Sequence, residues 1–312
     1  MSATEAGAPT TARRLDVPVA LLLVVICAIW GGSSAAIKIA NEGISPVFQA
    51  GLRSIASALL MILWCGYRGI RLFRLDDTWP LGLVIGILFT LEFALLYAGL
   101  AMTDVSRAVL YIYTSPFVTA LGAHFLVPSE RLTPLKWLGL LLAFSAVVLV
   151  FSSGLTVPRR EQIIGDLLCL GMGITWGTEN VIIKVSRLGR VEPERVLFYN
   201  LAISSVLLTG GAVLIGEPGI FNPSARVLLA FAYAFVLVSF ASYLIFIWML
   251  RRYQAAGLAS FVFLSPIFGV VIATLLLGES LTPTLLAALA LNAMGIVLVN
   301  GPRRGPRQSG RT

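Results

Sequence analysis

Trp30-Gly31-Gly32-Ser33-Ser34-Ala35-Ala36-Ile37-Lys38 is answered, 146 residues later, by Trp176-Gly177-Thr178-Glu179-Asn180-Val181-Ile182-Ile183-Lys184. The tryptophan, the glycine after it and the lysine eight residues on return in register. Ser115-Pro116 then returns as Ser265-Pro266, Leu132-Thr133-Pro134 as Leu281-Thr282-Pro283, and Val148-Leu149-Val150 as Val297-Leu298-Val299. Matches in one order, at offsets between 146 and 150, point to a duplicated unit, the drift being loop length.

Hydropathy says what the unit is made of. The 312 residues are 58% hydrophobic and 12% charged, with a mean hydropathy of +0.91. A soluble domain carries roughly 25% charged residues, so lipid must be the solvent for most of this chain. Apolar runs fall at roughly 17–40, 46–67, 79–101, 104–127, 134–152, 163–187, 192–215, 225–250, 255–277 and 282–300. Each has helix length, and none alternates as a membrane strand would. The expected fold is therefore an all-α membrane protein of ten transmembrane helices. It divides into a tail at 1–16, five-helix repeats at 17–152 and 163–300, and a basic tail at 301–312. Five is odd, so the second repeat enters the membrane from the opposite side. Inverted repeats are a transporter architecture, with the solute site near the bilayer midplane between the halves.

Charge sets the orientation. With the N-terminus in the cytoplasm, sixteen Lys and Arg residues fall on the inner side and four on the outer, with Lys38, Arg53 and Lys184 inside spans. By the positive-inside rule both termini are expected in the cytoplasm, and the protein in the cell (inner) membrane as a multi-pass chain. Arg13 and Arg14 ahead of an apolar run have the outline of a leader peptide, but the run continues to Ala40 and reads as an uncleaved first helix. The net charge of +8 is spread over short loops and the two ends, which argues against a nucleic-acid partner. Cys27, Cys65 and Cys169 have no metal-ligand spacing. No cofactor or metal is expected.

The chain resembles the drug/metabolite transporter superfamily, specifically its ten-helix EamA-type exporters. The residues that carry the resemblance are Ala28-Ile29-Trp30-Gly31-Gly32, Gly51-Leu52-Arg53, Ser115-Pro116 and Glu130-Arg131-Leu132-Thr133-Pro134 in the first half. In the second half they are Thr175-Trp176-Gly177, Ser265-Pro266 and Gly278-Glu279-Ser280-Leu281-Thr282-Pro283. It covers about residues 17 to 300, and implies export of amino acids, their analogues or diverse metabolites. One departure stands out: Asn200 occupies the region that matches Arg53, so any role of that arginine is not duplicated.

The candidate solute site takes the polar and aromatic residues that fall deep in spans: Trp30, Ser33, Glu92, Tyr111, Ser115, Trp176, Glu179, Asn180, Ser239, Tyr243 and Phe263. A carboxylate facing lipid costs several kcal/mol, roughly, so Glu92 and Glu179 should face the interior, either as structural hydrogen bonds or as a proton-sensitive site. Trp30 and Trp176 lie too deep for the interfacial belt and either pack or line a cavity. The hydroxyl and aromatic groups at i,i+3 or i,i+4 spacing suit an amphipathic solute, although interhelical hydrogen bonding accounts for Ser and Tyr in spans as well. Pro116 and Pro266 should kink their helices. Lys38 and Lys184, near helix ends, either snorkel to the interface or take a gating or substrate-carboxylate role. Arg53 can snorkel less easily and suits an interior ion pair, and the lone His124 reads as packing rather than a proton relay.

Secondary transport is the function class left standing. An embedded enzyme would need clustered His, Asp or Glu, and the chain has one His, no deep Asp and no P-loop. A channel would need a charged ring or carbonyl filter. The expected activity is export, by alternating access, of a small amphipathic metabolite, amino-acid-like with an aromatic or apolar side group; a multidrug or cationic-compound exporter is the alternative. The expected partners are that solute, the lipid bilayer and protons as a candidate coupling ion.

Overall fold

The computed structural model describes residues 13–72, 76–103, 108, 111–151, 159–277 and 283–300. The tail before Arg13, the basic tail from residue 301 and the repeat motif at 278–282 lie outside the described residues. Those described are helical apart from short turns and two isolated backbone bridges. The helices are α1 (Val17–Ala40), α2 (Pro46–Arg68), α3 (Trp79–Met102), α4 (Ser115–Leu126), α5 (Pro134–Phe151), α6 (Arg160–Val185), α7 (Pro193–Leu214), α8 (Ala225–Tyr233), α9 (Tyr243–Arg252), α10 (Ala255–Val262), α11 (Leu264–Leu277) and α12 (Pro283–Asn300). A π-helical segment, Ala234–Ser242, joins α8 to α9.

Among the described residues, five helical spans are long and apolar enough to cross a membrane: Val17–Ile37, Pro46–Arg68, Trp79–Gly99, Pro193–Leu214 and Ala225–Arg252. Pro134–Leu149, Ala255–Gly269 and Leu286–Asn300 are apolar but shorter. The 26-residue α6 has the length, at about 1.5 Å per residue, yet carries Asp166, Glu179 and Lys184 along it. Helix starts follow from local chemistry. Proline stands in the first turn of α1, α2, α3, α4 and α7, where its missing N–H costs nothing. The Asp16 side chain accepts from Val19 N at 3.1 Å and caps α1.

The kink expected at Pro266 is a break. α10 ends at Val262 and α11 begins at Leu264, so the proline falls in a first turn; Pro116 likewise lies in the first turn of α4. The two Ser-Pro turns are gripped in matching ways. A Cβ on Gly31 would come within 2.7 Å of Ser265 O, and one on Gly177 within 2.8 Å of Ser115 O. Correspondingly, α1 packs on α11 and α6 on α4, while α2 packs on α7 and α5 on α12. Each contact is thus matched by its partner under exchange of the halves. Gly177→Ala should lose about 1–3 kcal/mol of stability by overpacking, read as a lower thermal midpoint of the purified protein; an unchanged midpoint would show that this contact is loose.

The two ends of the bundle differ in charge. At one end Arg13 pairs its backbone with Arg252 and Gln254, Arg251 Nε donates to Gly189 O at 2.8 Å, and Lys136 Nζ donates to Gln254 Oε1 at 2.9 Å. Arg195 pairs with Asp76 at 2.7 Å, and that guanidinium holds the Asp76 carboxyl well below the usual carboxylate range. Arg187 pairs with Asp77 on the surface. At the other end Glu217 accepts from Val47 N and Phe48 N, at 3.1 and 2.7 Å, and so caps α2 from across the bundle. Basic residues that the sequence assigns to one side therefore gather at one end.

Candidate functional site

At the midpoint of α1, Trp30 stands where four elements meet. Its ring centroid lies 5.6 Å from that of Trp176 on α6, 5.7 Å from Tyr243 and 5.0 Å from Phe246 on α9. Phe89 of α3 closes the group, 5.7 Å from Tyr243. Edge-to-face and tilted rings at these separations pack firmly without stacking flat. A buried indole needs an acceptor for its N–H, and Trp30 Nε1 donates to Ser242 Oγ at 2.8 Å, which in turn donates to Val238 O at 2.5 Å. Both residues belong to the π-helical segment, a widening of the helix that recurs at functional sites.

Two acids sit against this aromatic wall. Glu92, from the middle of α3, is fully buried, and Glu179 on α6 is 3% exposed. The two carboxyl groups lie close enough for each to act electrostatically on the other. Tyr243 Oη donates to Glu92 Oε1 over a long 3.4 Å, and Asn200 Nδ2 donates to Glu179 Oε1 at 2.5 Å. Each acid keeps Oε2 without a donor among the described residues. A hydrogen bond between two carboxyls requires a proton on one of them, and two charged carboxylates in contact repel strongly away from water. Sharing one proton would leave such a pair with a single negative charge. Chemically, an aromatic wall beside such a pair accepts a cation or an amine and can give up its proton in exchange.

The other predicted site residues divide. Asn180, Ser115 and Trp176 line a small cleft, with free space about the size of a water, which also touches Phe246 and Leu258. Ser239 is buried on the π-helical segment with its hydroxyl lacking a partner among the described residues. Ser33 and Tyr111 are half-buried, and the Tyr111 carbonyl accepts from Thr114 Oγ1 at 2.7 Å. Phe263 packs instead with Phe117 and Phe144, at 5.5 and 6.0 Å, in a separate apolar cluster. His124 holds the turn before α5, its Nδ1 accepting from Leu132 N at 2.8 Å.

Asn200 and Ser242 belong with the site although the sequence alone does not single them out for it. A signal for Asn200 exists, since a primary amide inside a span needs an interior partner. Ser242 has none beyond being a hydroxyl in a span. Lys184 does not snorkel. It turns inward, 2.9 Å from Glu130 Oε1, and donates to Leu250 O and Tyr253 O at 2.9 and 2.7 Å.

A model of the EamA-like transporter family matches residues 17–152 and again 163–301. The uncharacterized transporter YvbV of Bacillus subtilis strain 168 is 28% identical over 282 residues, covering 90% of this chain and 91% of that protein. A probable amino-acid metabolite efflux pump of Escherichia coli K12 is 25% identical over 299 residues, 92% of each chain. The Salmonella typhimurium LT2 protein of the same name is 26% identical over 299 residues, 91% of this chain and 94% of that protein. A crystal structure superposes with a TM-score of 0.77 over 90% of this chain and 98% of the other; at 21% identity the likeness speaks to fold alone.

Proposed function

The chain belongs to the EamA-like transporter family, its two matched stretches spanning nearly all of it, and from that premise we propose that it is a ten-span secondary transporter that exports a small amphipathic metabolite. The solute is amino-acid-like with an aromatic or apolar side group. The observation that carries the reading is the buried Glu92–Glu179 pair set against Trp30, Trp176 and Tyr243. Such a site offers an amine a negative counter-charge and offers a side group a flat apolar wall. The relatives named amino-acid metabolite efflux pumps support the same solute class.

Transport by alternating access is supported by the exchange-related packing of the two halves, the architecture in which one half can rock against the other around a central site. An amine entering the site competes with the shared proton for the same carboxyls, so an inward proton gradient drives the solute out. Repeats at 17–152 and 163–300, in the cell (inner) membrane with both termini in the cytoplasm, complete the reading. A reporter enzyme fused after Arg190 should be active in the cytoplasm and one fused after Gly154 outside it; the reverse pattern defeats the orientation.

The functional test is growth. Cells that overproduce the protein should tolerate toxic aromatic amino-acid analogues at several-fold higher concentration than controls. Resistance to bulky cationic dyes without resistance to the analogues would transfer the assignment to a cationic-compound exporter, which the same acid pair and aromatic wall would serve.

A further inference from the structure

Arg53 of α2 is 2% exposed. Its guanidinium lies over the Phe93 ring, 3.9 Å from the centroid, and its charge acts on Glu92, Tyr97 and Tyr243. Yet it forms no ion pair among the described residues, and both Nε and Nη2 are buried without an acceptor. A buried charge that no group pairs is costly. A chain that keeps one inside an apolar bundle gains something from it.

The two orphaned nitrogens are the informative detail. Nε and Nη2 lie on one edge of the guanidinium and present parallel N–H groups, the fork that takes both oxygens of a carboxylate. Beside it, Tyr97 Oη is also buried without a partner. Tyr97 stands one helical turn beyond Phe93, so the ring under the guanidinium and the free hydroxyl share a face of α3. One turn before Arg53 on α2, Gln49 is 1% exposed with Oε1 lacking a donor. Three groups able to donate and one free acceptor thus lie buried along neighbouring faces of α2 and α3 without a partner among the described residues.

The repeat shows how the two halves differ at this point. The position matching Arg53 is Asn200, which donates to Glu179, and the position matching Glu179 in the first half is Ser33. The second half therefore holds an amide with its acid, whereas the first half holds an arginine and, at the position matching that acid, a serine. In α2 and α3, Arg53 and Tyr97 lie toward the end capped by Glu217, with Glu92 nearer mid-span. A solute that reached from one to the other would meet a cation at one end and an acid pair at the other.

We propose that Arg53, assisted by Tyr97, is the carboxylate-binding end of the solute site, so that the exported solute is a carboxylic acid held in a fork by Nε and Nη2. The assignment rests on the exporter reading and narrows it. An amino group on the same solute would face Gln49 Oε1 or the Glu92–Glu179 pair.

The test is thermal stabilisation of the purified full-length protein by paired probes, L-phenylalanine against L-phenylalaninamide and L-leucine against L-leucinamide, with inorganic phosphate as a third anion, since a ligand that binds the folded state raises its midpoint. At least one acid should stabilise the wild-type protein, and its amide should need a tenfold or higher concentration for the same shift. Arg53→Gln should erase that preference. Tyr97→Phe, a smaller change should Arg53→Gln fail to fold, should weaken the acid about threefold and leave the amide unaffected. Equal response to acid and amide, a retained preference in Arg53→Gln, phosphate matching the acids, or no response to any acid would each overturn the assignment. The exporter reading fails by a different result, the absence of resistance or flux for every solute class. Export of amides or dyes without an acid preference would sink only the role of Arg53.

Discussion

Full-length protein carrying Glu92→Gln or Glu179→Gln, reconstituted in vesicles, is expected in at least one case to fold and bind solute while losing the flux driven by an imposed pH gradient. Glutamine keeps the shape of the side chain and can still hydrogen-bond across the pair. At position 179 its carbonyl oxygen would still accept from Asn200, the partner 2.5 Å away. What it cannot do is release a proton when the solute's amine arrives. Gradient-driven flux should therefore fall at least tenfold, whereas counterflow of solute down its own gradient should persist. The competing account makes the pair a structural bridge between α3 and α6. Under that account both variants respond to the pH gradient as the wild type does, and export is downhill diffusion.

The pairing of these two acids is only partly legible in the sequence. Each can be recognised as interior because neither lies within reach of an interface. Their meeting depends on α3 packing against α6, a contact between the halves that no local pattern encodes. Trp30 and Trp176 show the opposite case. Their common register in the two copies, once inverted, brings both to the axis between the halves, and they meet at 5.6 Å. The helix boundaries are legible from apolar runs and proline positions, and Pro266 announces a kink, but that the kink is a full break at Phe263 is not legible. The apolar run continues from Ala255 to Leu277; Pro266 suits the first turn of the restarted helix, and the close approach of Gly31 to the Ser265 carbonyl holds that turn in place.

Glu130 is the least legible of the polar groups, because it stands in a turn outside any apolar run, where an acid ordinarily meets water. In the fold it is 3% exposed. Its Oε2 accepts from Ala255 N at 2.8 Å and its Oε1 lies 2.9 Å from Lys184 Nζ, which also ties down the carbonyls of Leu250 and Tyr253. One ion pair therefore joins the turn before α5 to the end of α6 and to the break between α9 and α10. It links the two halves at their Arg-rich end. Removing one member leaves the other charged, buried and uncompensated, a loss of about 3–5 kcal/mol in comparable pairs. Lys184→Met alone and Glu130→Gln alone should each lower the thermal midpoint sharply. The double variant leaves no orphan charge, and should be more stable than the sum of the two single losses by at least about 1 kcal/mol. If transport by the proposed alternating access opens this end by parting the same groups, the single variants should also label faster at a cysteine introduced at Ala259, which lines the cleft beneath. Additive losses in the double variant, with unchanged labelling, would show that the two residues are stabilised separately and do not act as a closure.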